Sequence, residues 1–241
     1  MKSTIFILLI ALFSVVLSCE KETHENPYKG LLKRKFFYRS IQDSIPVSIS
    51  DYEYDSKLRI KKVQDNLYTE LFEYNQNDEL IRKYTYQTDG GGTDLYDTTF
   101  YKYQEGKLVY EESIHLPPSS SLSSIQTIYE YENSKLIRKK NYRDHVFEGL
   151  TLYEYSGDLC FKELNFRDST AVQIGSYRSY AYENRKLLMS TLVGFAARDQ
   201  KYILQTVYYI YDDSGNLILE YATQNMEISA WISYCYRYEY D

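Results

Sequence analysis

The sequence predicts an all-β protein, an array of about seven to eight antiparallel β-hairpin repeats that form a large, twisted, coiled meander sheet. Two observations support this fold class. The chain has 29 tyrosines and 4 prolines among 241 residues, and tyrosine favours the pleated, half-buried surface of a sheet. In addition, one phrase, seen as YEYENSKLIRKK at 129–140, recurs seven times in degenerate form. Such a period indicates one supersecondary unit per repeat.

The first thirty residues are predicted to be a targeting signal and a tether. Lys2 precedes an apolar stretch from Ile5 to Leu17, which is shorter than the about 20 residues needed to span a membrane and is typical of a secretory signal. The stretch ends in VLSC, which resembles a bacterial lipobox. The resemblance implies a signal peptide at 1–18, a lipid such as palmitate on Cys19, and a polar tether over 19–30. It also implies an outer-membrane lipoprotein of a Gram-negative cell, facing the cell surface or the periplasm.

Residues 31–241 are predicted to form the repeat domain, with one hairpin in each copy of the phrase. Aromatic residues at i and i+2 point to the same face of a strand. Three to five residues rich in Asn, Asp, Ser and Gly follow them, and these favour the positive φ of tight turns. A leucine then opens the return strand and faces the second tyrosine. The predicted repeat core is Tyr52, Tyr54, Leu58, Tyr74, Leu80, Tyr101, Tyr103, Leu108, Tyr129, Tyr131, Leu136, Tyr153, Tyr155, Leu159, Tyr180, Tyr182, Leu187, Tyr209, Tyr211 and Leu217.

Alternation along each strand predicts one core face and one solvated face. Tyr84, Tyr110 and Met189 would share the core face with the repeat tyrosines, whereas Glu and Lys residues would pair across strands on the other face, Glu130 near Lys139 for example. Because an open twisted sheet rarely exceeds about 10 strands, we expect the sheet to coil with its tyrosine face inward. The charges on the other face disfavour an outer-membrane barrel, which needs an apolar outer band.

The two cysteines of the repeat domain are predicted to stay unpaired. Cys160 and Cys235 would both lie opposite the tyrosines, nearly three repeats apart. In an open meander that separation is about 25–30 Å, whereas a disulfide needs Cα atoms within about 7 Å. We therefore expect no disulfide unless the sheet closes on itself.

No pattern in the sequence indicates catalysis, a cofactor or a metal centre, and we expect no enzyme. The three histidines lack metal-ligand spacing. Asp89, Asp94 and Asp97 flank a glycine run and could supply oxygen ligands for Ca²⁺, but their spacing fits no standard loop, and a solvated loop is the simpler interpretation. The formal charge of −6 without a long basic run argues against nucleic acid as a partner.

The repeat itself resembles a known family. The pattern Y-x-Y-D/E-x-x-G/K-x-L over about 36–241 looks like the YD repeat of Rhs-type and teneurin-like proteins, and the copy from Tyr209 to Leu217 (YIYDDSGNL) is nearest to it. ENSKL and ENRKL also look like a phrase in short antitoxin-like hairpin-repeat proteins. The resemblance implies a short, degenerate YD-repeat lipoprotein. It carries over no catalytic residue, since the chain ends on a repeat at Tyr240-Asp241 without a cargo domain.

These observations predict a non-catalytic, membrane-anchored envelope lipoprotein that acts as a binding or scaffold module for a protein or a glycan. Loops holding Tyr96, Phe195 and Trp231 could present aromatic platforms, although most tyrosines are expected to be core. The alternative is an immunity or antitoxin-like partner of a secreted effector, which the hairpin resemblance implies. The predicted partners are the membrane, through the N-terminal lipid, and an unknown protein or glycan.

Overall fold

The computed structural model describes residues 30–39, 41–88, 94–116, 122–195, 201–226 and 229–240, and for 201, 224–226 and 229–233 it describes the backbone alone. Within these ranges, no helix is long and apolar enough to cross a membrane. The described residues form β1 (Leu32–Tyr38), β2 (Ser48–Tyr54), β3 (Ile60–Gln64), β4 (Tyr68–Tyr74), β5 (Leu80–Gln87), β6 (Asp94–Gln104), β7 (Lys107–His115), β8 (Ser123–Glu132), β9 (Lys135–Arg143), β10 (Val146–Ser156), β11 (Leu159–Phe166), β12 (Ile174–Glu183), β13 (Lys186–Phe195), β14 (Lys201–Tyr211), β15 (Leu217–Met226) and β16 (Ser229–Tyr240).

These strands form a closed barrel, so the predicted open, coiled meander sheet is wrong. Each strand pairs with its neighbours in sequence, as in a meander, but β1 also pairs with β16 in antiparallel orientation. Closure removes the two unpaired edges that an open sheet of this size would expose. The strands still pair as consecutive hairpins, as the sequence predicts, but the sheet that they form is closed.

The seam between β16 and β1 is an eighth repeat that is divided between the two ends of the chain. Tyr240 pairs with Leu32, and the register then shifts before Arg34 pairs with Glu239. The same pairing and shift occur within the hairpins, where Tyr131 pairs with Leu136. The leucine that the C-terminal YEY lacks is therefore supplied by LKRK at 32–35, which is similar to LIRK at 136–139.

A β-bulge follows the tyrosine–aliphatic pair in each hairpin and reverses the predicted faces. Tyr182 pairs with Leu187 and Ala181 with Met189, so one extra residue lies in the return strand. A bulge of this kind changes which side chains lie on each face of the sheet beyond it. Met189 thus lies opposite the tyrosines, as do Tyr84 and Tyr110, and the prediction that these residues share the tyrosine face is wrong.

Two members of the predicted repeat core do not face the second tyrosine, because their turns differ in length. Asp55 accepts hydrogen bonds from the backbone amides of Lys57 and Arg59. This closes a longer turn, in which Leu58 has a φ of 62° and is 39% exposed, and Ile60 pairs with Tyr54 instead.

The fifth repeat has a shorter turn, over Gly157 and Asp158. Ser156 pairs with Leu159 across it, and Cys160 therefore pairs with Tyr155. Where four residues separate the tyrosine from the leucine, as at Asn133 and Ser134, the predicted two-residue turn with positive φ is confirmed.

The tyrosine face is the concave, inward face of the barrel. One cavity is lined by strand residues of this face from β16 and β1 to β6, among them Tyr236, Lys35, Tyr52, Val63 and Thr85. Side chains on one face of seven neighbouring strands converge on a single cavity only where that face is concave. The prediction that the tyrosines point inward therefore agrees with the barrel, although they surround a lumen.

The exterior face carries cross-strand ion pairs. The pairs are Glu53–Lys62 at 3.1 Å, Glu73–Arg82 at 3.4 Å, and Glu130 with Arg138 at 3.0 Å and Lys140 at 2.5 Å. Pairing between Glu and basic residues on this face is confirmed, but the predicted partner Lys139 instead pairs in register with Tyr129 on the inner face. Such exposed pairs contribute about 0–1 kcal/mol each.

The two cysteines lie on opposite faces and are free thiols, so the prediction that they share a face is wrong. Cys160 pairs with Tyr155 on the inner face. Cys235 pairs with Tyr38 on the outer face and is 0% exposed. Beside it, the Arg237 guanidinium donates to the carbonyl of Ile41 at 3.0 Å, which holds the β1–β2 connection against the barrel wall.

Candidate functional site: the tyrosine-lined lumen

The lumen begins, near the tight turns, with a layer of tyrosines that join successive repeats. In these contacts the hydroxyl of a repeat's second tyrosine donates a hydrogen bond to a backbone carbonyl of the preceding repeat. The acceptor residue is the one that pairs with the second tyrosine of that preceding repeat. Tyr155 donates to Leu136 at 2.9 Å and Tyr211 to Leu187 at 3.0 Å. The same bond occurs for Tyr54, Tyr74, Tyr182 and Tyr240. A net contribution of about 1 kcal/mol per bond is typical, so this layer stabilises the contact between repeats.

A second layer pairs the first tyrosines with carboxylates on the inner face. Tyr129 donates to Glu111 at 2.8 Å, and Tyr238 donates to Glu220 at 3.0 Å. Tyr180 makes the equivalent bond to Glu163. Burial, together with the neighbouring carboxylate, raises the pKa of these three tyrosines well above its ordinary value. The tyrosines therefore act as neutral donors that hold the glutamates in place.

Beyond the tyrosines the inner face becomes polar. Thr99 bonds to Ser113 at 2.8 Å, and Thr151 donates to Asn165 at 2.9 Å. Arg178 donates to Ser190 at 3.2 Å. The lumen is thus lined by aromatic, hydroxyl, amide and charged groups, a surface suited to a hydrated ligand rather than to a lipid tail.

A cavity on the inner face between β16 and β6, here called the lumen cavity, has a volume of about 560 Å³. Its walls combine aromatic rings with polar groups, and it falls within the about 300–1,000 Å³ of typical ligand sites. Tyr68 and Tyr96 form one corner, with ring centroids 5.6 Å apart. Its lining residues are Lys35, Phe37, Ser48, Ser50, Tyr52, Val63, Asp65, Leu67, Tyr68, Glu70, Thr85, Tyr96 and Tyr236.

The charged groups of this cavity differ in how they are held. Glu70 accepts from the Lys83 ammonium at 2.8 Å, and Asp65 accepts from the backbone amides of Leu67 and Tyr68, both at 2.8 Å. The Lys35 ammonium lies 3.6 Å from the centre of the Tyr236 ring. Burial lowers the pKa of Lys35, and the charge of Glu220 partly offsets this effect.

The described residues do not test whether the loop with Asp89, Asp94 and Asp97 binds Ca²⁺, an alternative that the sequence left open. Asp89 and the glycine run lie outside the described residues, as does Cys19. Asp94 pairs with Gln87, whereas Asp97 accepts from the Thr99 hydroxyl at 3.0 Å. In the part of the chain that the structure describes, no cluster of three His, Cys, Asp or Glu side chains could hold a metal ion.

Of the two predicted aromatic platforms whose side chains are described, Tyr96 lines the lumen cavity. Its ring meets His115 edge-on at 4.2 Å. Phe195 packs on Tyr177 at 5.9 Å on the outer face, and the side chain of Trp231 lies outside the described residues. Among the other histidines, His145 lies in the turn between β9 and β10, 3.2 Å from Gln126, and His24 precedes the described residues.

Sequence reasoning missed the inward-facing charges, because alternation without the bulges places them outside. Lys35, Glu111, Glu163 and Glu220 each pair with the first tyrosine of a YxY phrase. In two copies the glutamate stands three residues after the repeat leucine, Leu108 or Leu217, and in a third copy it stands three residues after Cys160, which pairs with the second tyrosine there. That fixed spacing is a signal which only the observed register makes readable.

No protein-family model matches the chain, and no curated protein matches it. Among solved structures, a porin-like protein from Bacteroides uniformis is similar over 88% of this chain and 99% of its own, with 11% identity and a TM-score of 0.43. The TcdB2-TccC3-Cdc42 structure is similar over 77% of this chain and 14% of its own, with 12% identity and a TM-score of 0.31. A protein of unknown function from Bacteroides fragilis aligns over 71% and 91%, with 8% identity and a TM-score of 0.18. At these TM-scores none of the likenesses supports an argument about function.

The barrel architecture by itself is compatible with the outer membrane. Closed antiparallel barrels with an even number of strands, from 8 upward, are common there, and the sixteen strands of this barrel fall in that range.

Proposed function

We propose that this protein is a non-catalytic envelope lipoprotein of a Gram-negative outer membrane, whose YD-like hairpin repeats form a barrel that binds a ligand in its lumen. The cavity of about 560 Å³ on the inner face carries this proposal. Its mixture of aromatic rings and hydrogen-bonding groups suits a glycan, with a peptide as the other class of occupant.

The exterior face of the barrel is better suited to a protein that is attached through a lipid on Cys19 than to a barrel inserted in the bilayer. Exterior charges lie in the middle of strands, at Asp51 and Lys62 for example. A basic residue on the lipid face at the bilayer midplane costs about 2–4 kcal/mol. The short strands β2 to β4, of 5 to 7 residues, also fall below the about 9–11 residues that cross a bilayer. These two features support attachment through the lipid rather than insertion of the barrel.

Replacement of the predicted lipidated cysteine tests the anchor. We expect Cys19→Ala to abolish incorporation of labelled palmitate and to move the protein out of the outer-membrane fraction, because the barrel exterior then offers no substitute anchor. Cys160→Ala is the matched control and should stay membrane-bound and labelled. Sedimentation of Cys19→Ala with the outer membrane, even after a carbonate wash, would contradict the proposal that the lipid alone holds the protein.

Binding in the lumen is tested on an array of glycans and envelope peptides probed with the purified protein. We expect hits that weaken by about tenfold or more for Tyr68→Ala, because loss of an aromatic wall removes stacking area. Tyr110→Ala, on the exterior face, is the control and should bind as the parent does. Absence of any hit, or equal loss in both variants at equal thermal stability, would reject the lumen as the binding surface. The immunity-partner alternative stays a prediction, tested by the presence of an adjacent toxin gene.

A further inference from the structure

Lys35 places an ammonium group on the lining of the lumen cavity, and among the described residues this ammonium has no ion-pair partner. Its ammonium stacks on the rings of Tyr236, at 3.6 Å, and Tyr238, at 5.6 Å. Among the described residues no carboxylate oxygen forms an ion pair with this ammonium within 4.0 Å. The charge of Glu220 acts on Lys35 without such a contact. An ammonium placed against aromatic faces is half-desolvated, so an anion that reaches it gains more than it would at an exposed lysine.

The two carboxylates of the same cavity are occupied by other partners. Glu70 is neutralised by Lys83 at 2.8 Å, and Asp65 is turned toward the turn amides of Leu67 and Tyr68. An anionic ligand at Lys35 therefore meets no carboxylate on the cavity lining that lacks a bonded partner, and Glu220, outside the lining, accepts hydrogen bonds from Tyr234 and Tyr238. Neutral donors stand nearby, with the hydroxyls of Ser48, Ser50 and Thr85 on the same lining.

Further aromatic rings line the same cavity as this ammonium. Tyr52 lies on β2 and Tyr68 on β4, and Tyr96 extends the Tyr68 wall with its ring 5.6 Å away. Sugar rings stack on such faces through their C–H groups while their hydroxyls bond to Ser, Thr and Tyr. The cavity of about 560 Å³ accommodates a short oligosaccharide rather than a single small ion.

We propose that this cavity binds an acidic saccharide, with a carboxylate or other acid group of the sugar on Lys35 and a sugar ring against Tyr52, Tyr68 or Tyr96. This inference rests on the proposed function and names the substrate class of the same site. The geometry predicts that the acid group supplies specificity through the ammonium, while the aromatic walls supply the part of the affinity that neutral sugars share.

The test compares acidic saccharides with matched neutral ones by calorimetric titration of the full-length protein in mild detergent. The probes are digalacturonate with galactobiose, sialyllactose with lactose, and glucose 6-phosphate with glucose. We expect at least one acidic probe to bind about tenfold or more tightly than its neutral partner. Lys35→Met, which keeps the apolar stem, should abolish that difference, and Lys35→Arg should retain most of it. Lys62→Met, on the exterior, should change nothing.

The outcomes separate this inference from the proposed function. Equal binding of acidic and neutral partners, or an acid preference that survives Lys35→Met, would overturn the role of Lys35. If such binding is still lost in Tyr68→Ala, the lumen remains a binding site and the proposed function stands. If no probe binds, the acidic-saccharide inference is overturned. If the broader array also gives no hits, the proposed function is rejected as well. Thermal melts of each variant show whether it is folded.

Discussion

A disulfide introduced across the seam should form spontaneously and join the first strand to the last. Arg34 and Glu239 are register partners, with Nε and Oε2 3.6 Å apart. In Arg34→Cys/Glu239→Cys, made with Cys160→Ala and Cys235→Ala, the Cα atoms fall in the range that a disulfide requires. In an open sheet they would stand about 70 Å apart, at about 4.8 Å per strand. The bond closes a loop of well over 100 residues and should stabilise the barrel by about 3–5 kcal/mol, raising Tm by about 10 °C.

Peptide mapping by mass spectrometry under non-reducing conditions detects the cross-link, and calorimetry with and without reductant gives the change in Tm. The matched control is Arg34→Cys/Glu73→Cys, which places two cysteines on the same exterior face but three strands apart, and it should remain reduced. A seam variant that stays reduced in the folded monomer, or that cross-links only between molecules, would show that the barrel does not close.

The barrel should also unfold at alkaline pH in a single cooperative step. Burial raises the pKa of Tyr101, Tyr129, Tyr153, Tyr180 and Tyr238 above the ordinary value of 10.0. Because the folded-state pKa exceeds the unfolded one, their stabilising contribution is complete below pH 10 and is lost as the pH rises from 10 through the raised values. Each such tyrosine removes at most about 1.4 kcal/mol per pH unit, reduced by partial solvent exposure, so five together bring the barrel to unfolding within a few pH units.

Circular dichroism and tyrosinate absorbance followed together check this expectation. The share of the absorbance that belongs to the inner tyrosines should change above pH 10 in the same step as the circular dichroism, because these tyrosines ionise only on unfolding. Tyr180→Phe removes one ionising group and should move the midpoint upward, after correction for its stability at pH 8, whereas Tyr208→Phe on the exterior serves as the control. Ionisation of all the tyrosines with unchanged circular dichroism would contradict the buried, neutral state of the inner ones.

The repeat unit could be predicted from local sequence because its causes are local. The YxY spacing, the turn residues at Asn133 and Ser134, and the pairing of Tyr131 with Leu136 all follow from strand period and turn chemistry within about ten residues. The same rules failed at Leu58 and Leu159, where hydrogen bonds from backbone amides to the Asp55 side chain and a shorter turn at Gly157 altered the number of residues in the loop.

The faces of the return strands could not be predicted, because a bulge leaves no mark in a pattern of alternation. One inserted position after each tyrosine–aliphatic pair moves Tyr110 outward and Glu111 inward. The candidate site depends on this shift, since it places the acid that Tyr129 holds, and by the same register the ammonium of Lys35, on the inner face. Period-2 reasoning gave the opposite face for Tyr84, Tyr110 and Met189 for this reason.

The sequence alone determined the hairpin, its tyrosine face and the number of units, since hydrophobic periodicity and turn propensity act between near neighbours. Tertiary structure was needed for closure, because whether a sheet of this size stays open depends on the fit of its two ends. That fit rests on Leu32 completing the repeat that stops at Tyr240, a contact between residues about 200 positions apart. Closure encloses the tyrosine face as a lumen and brings β16 next to β1 and β2, where Tyr236 and Lys35 meet the rest of the proposed binding site.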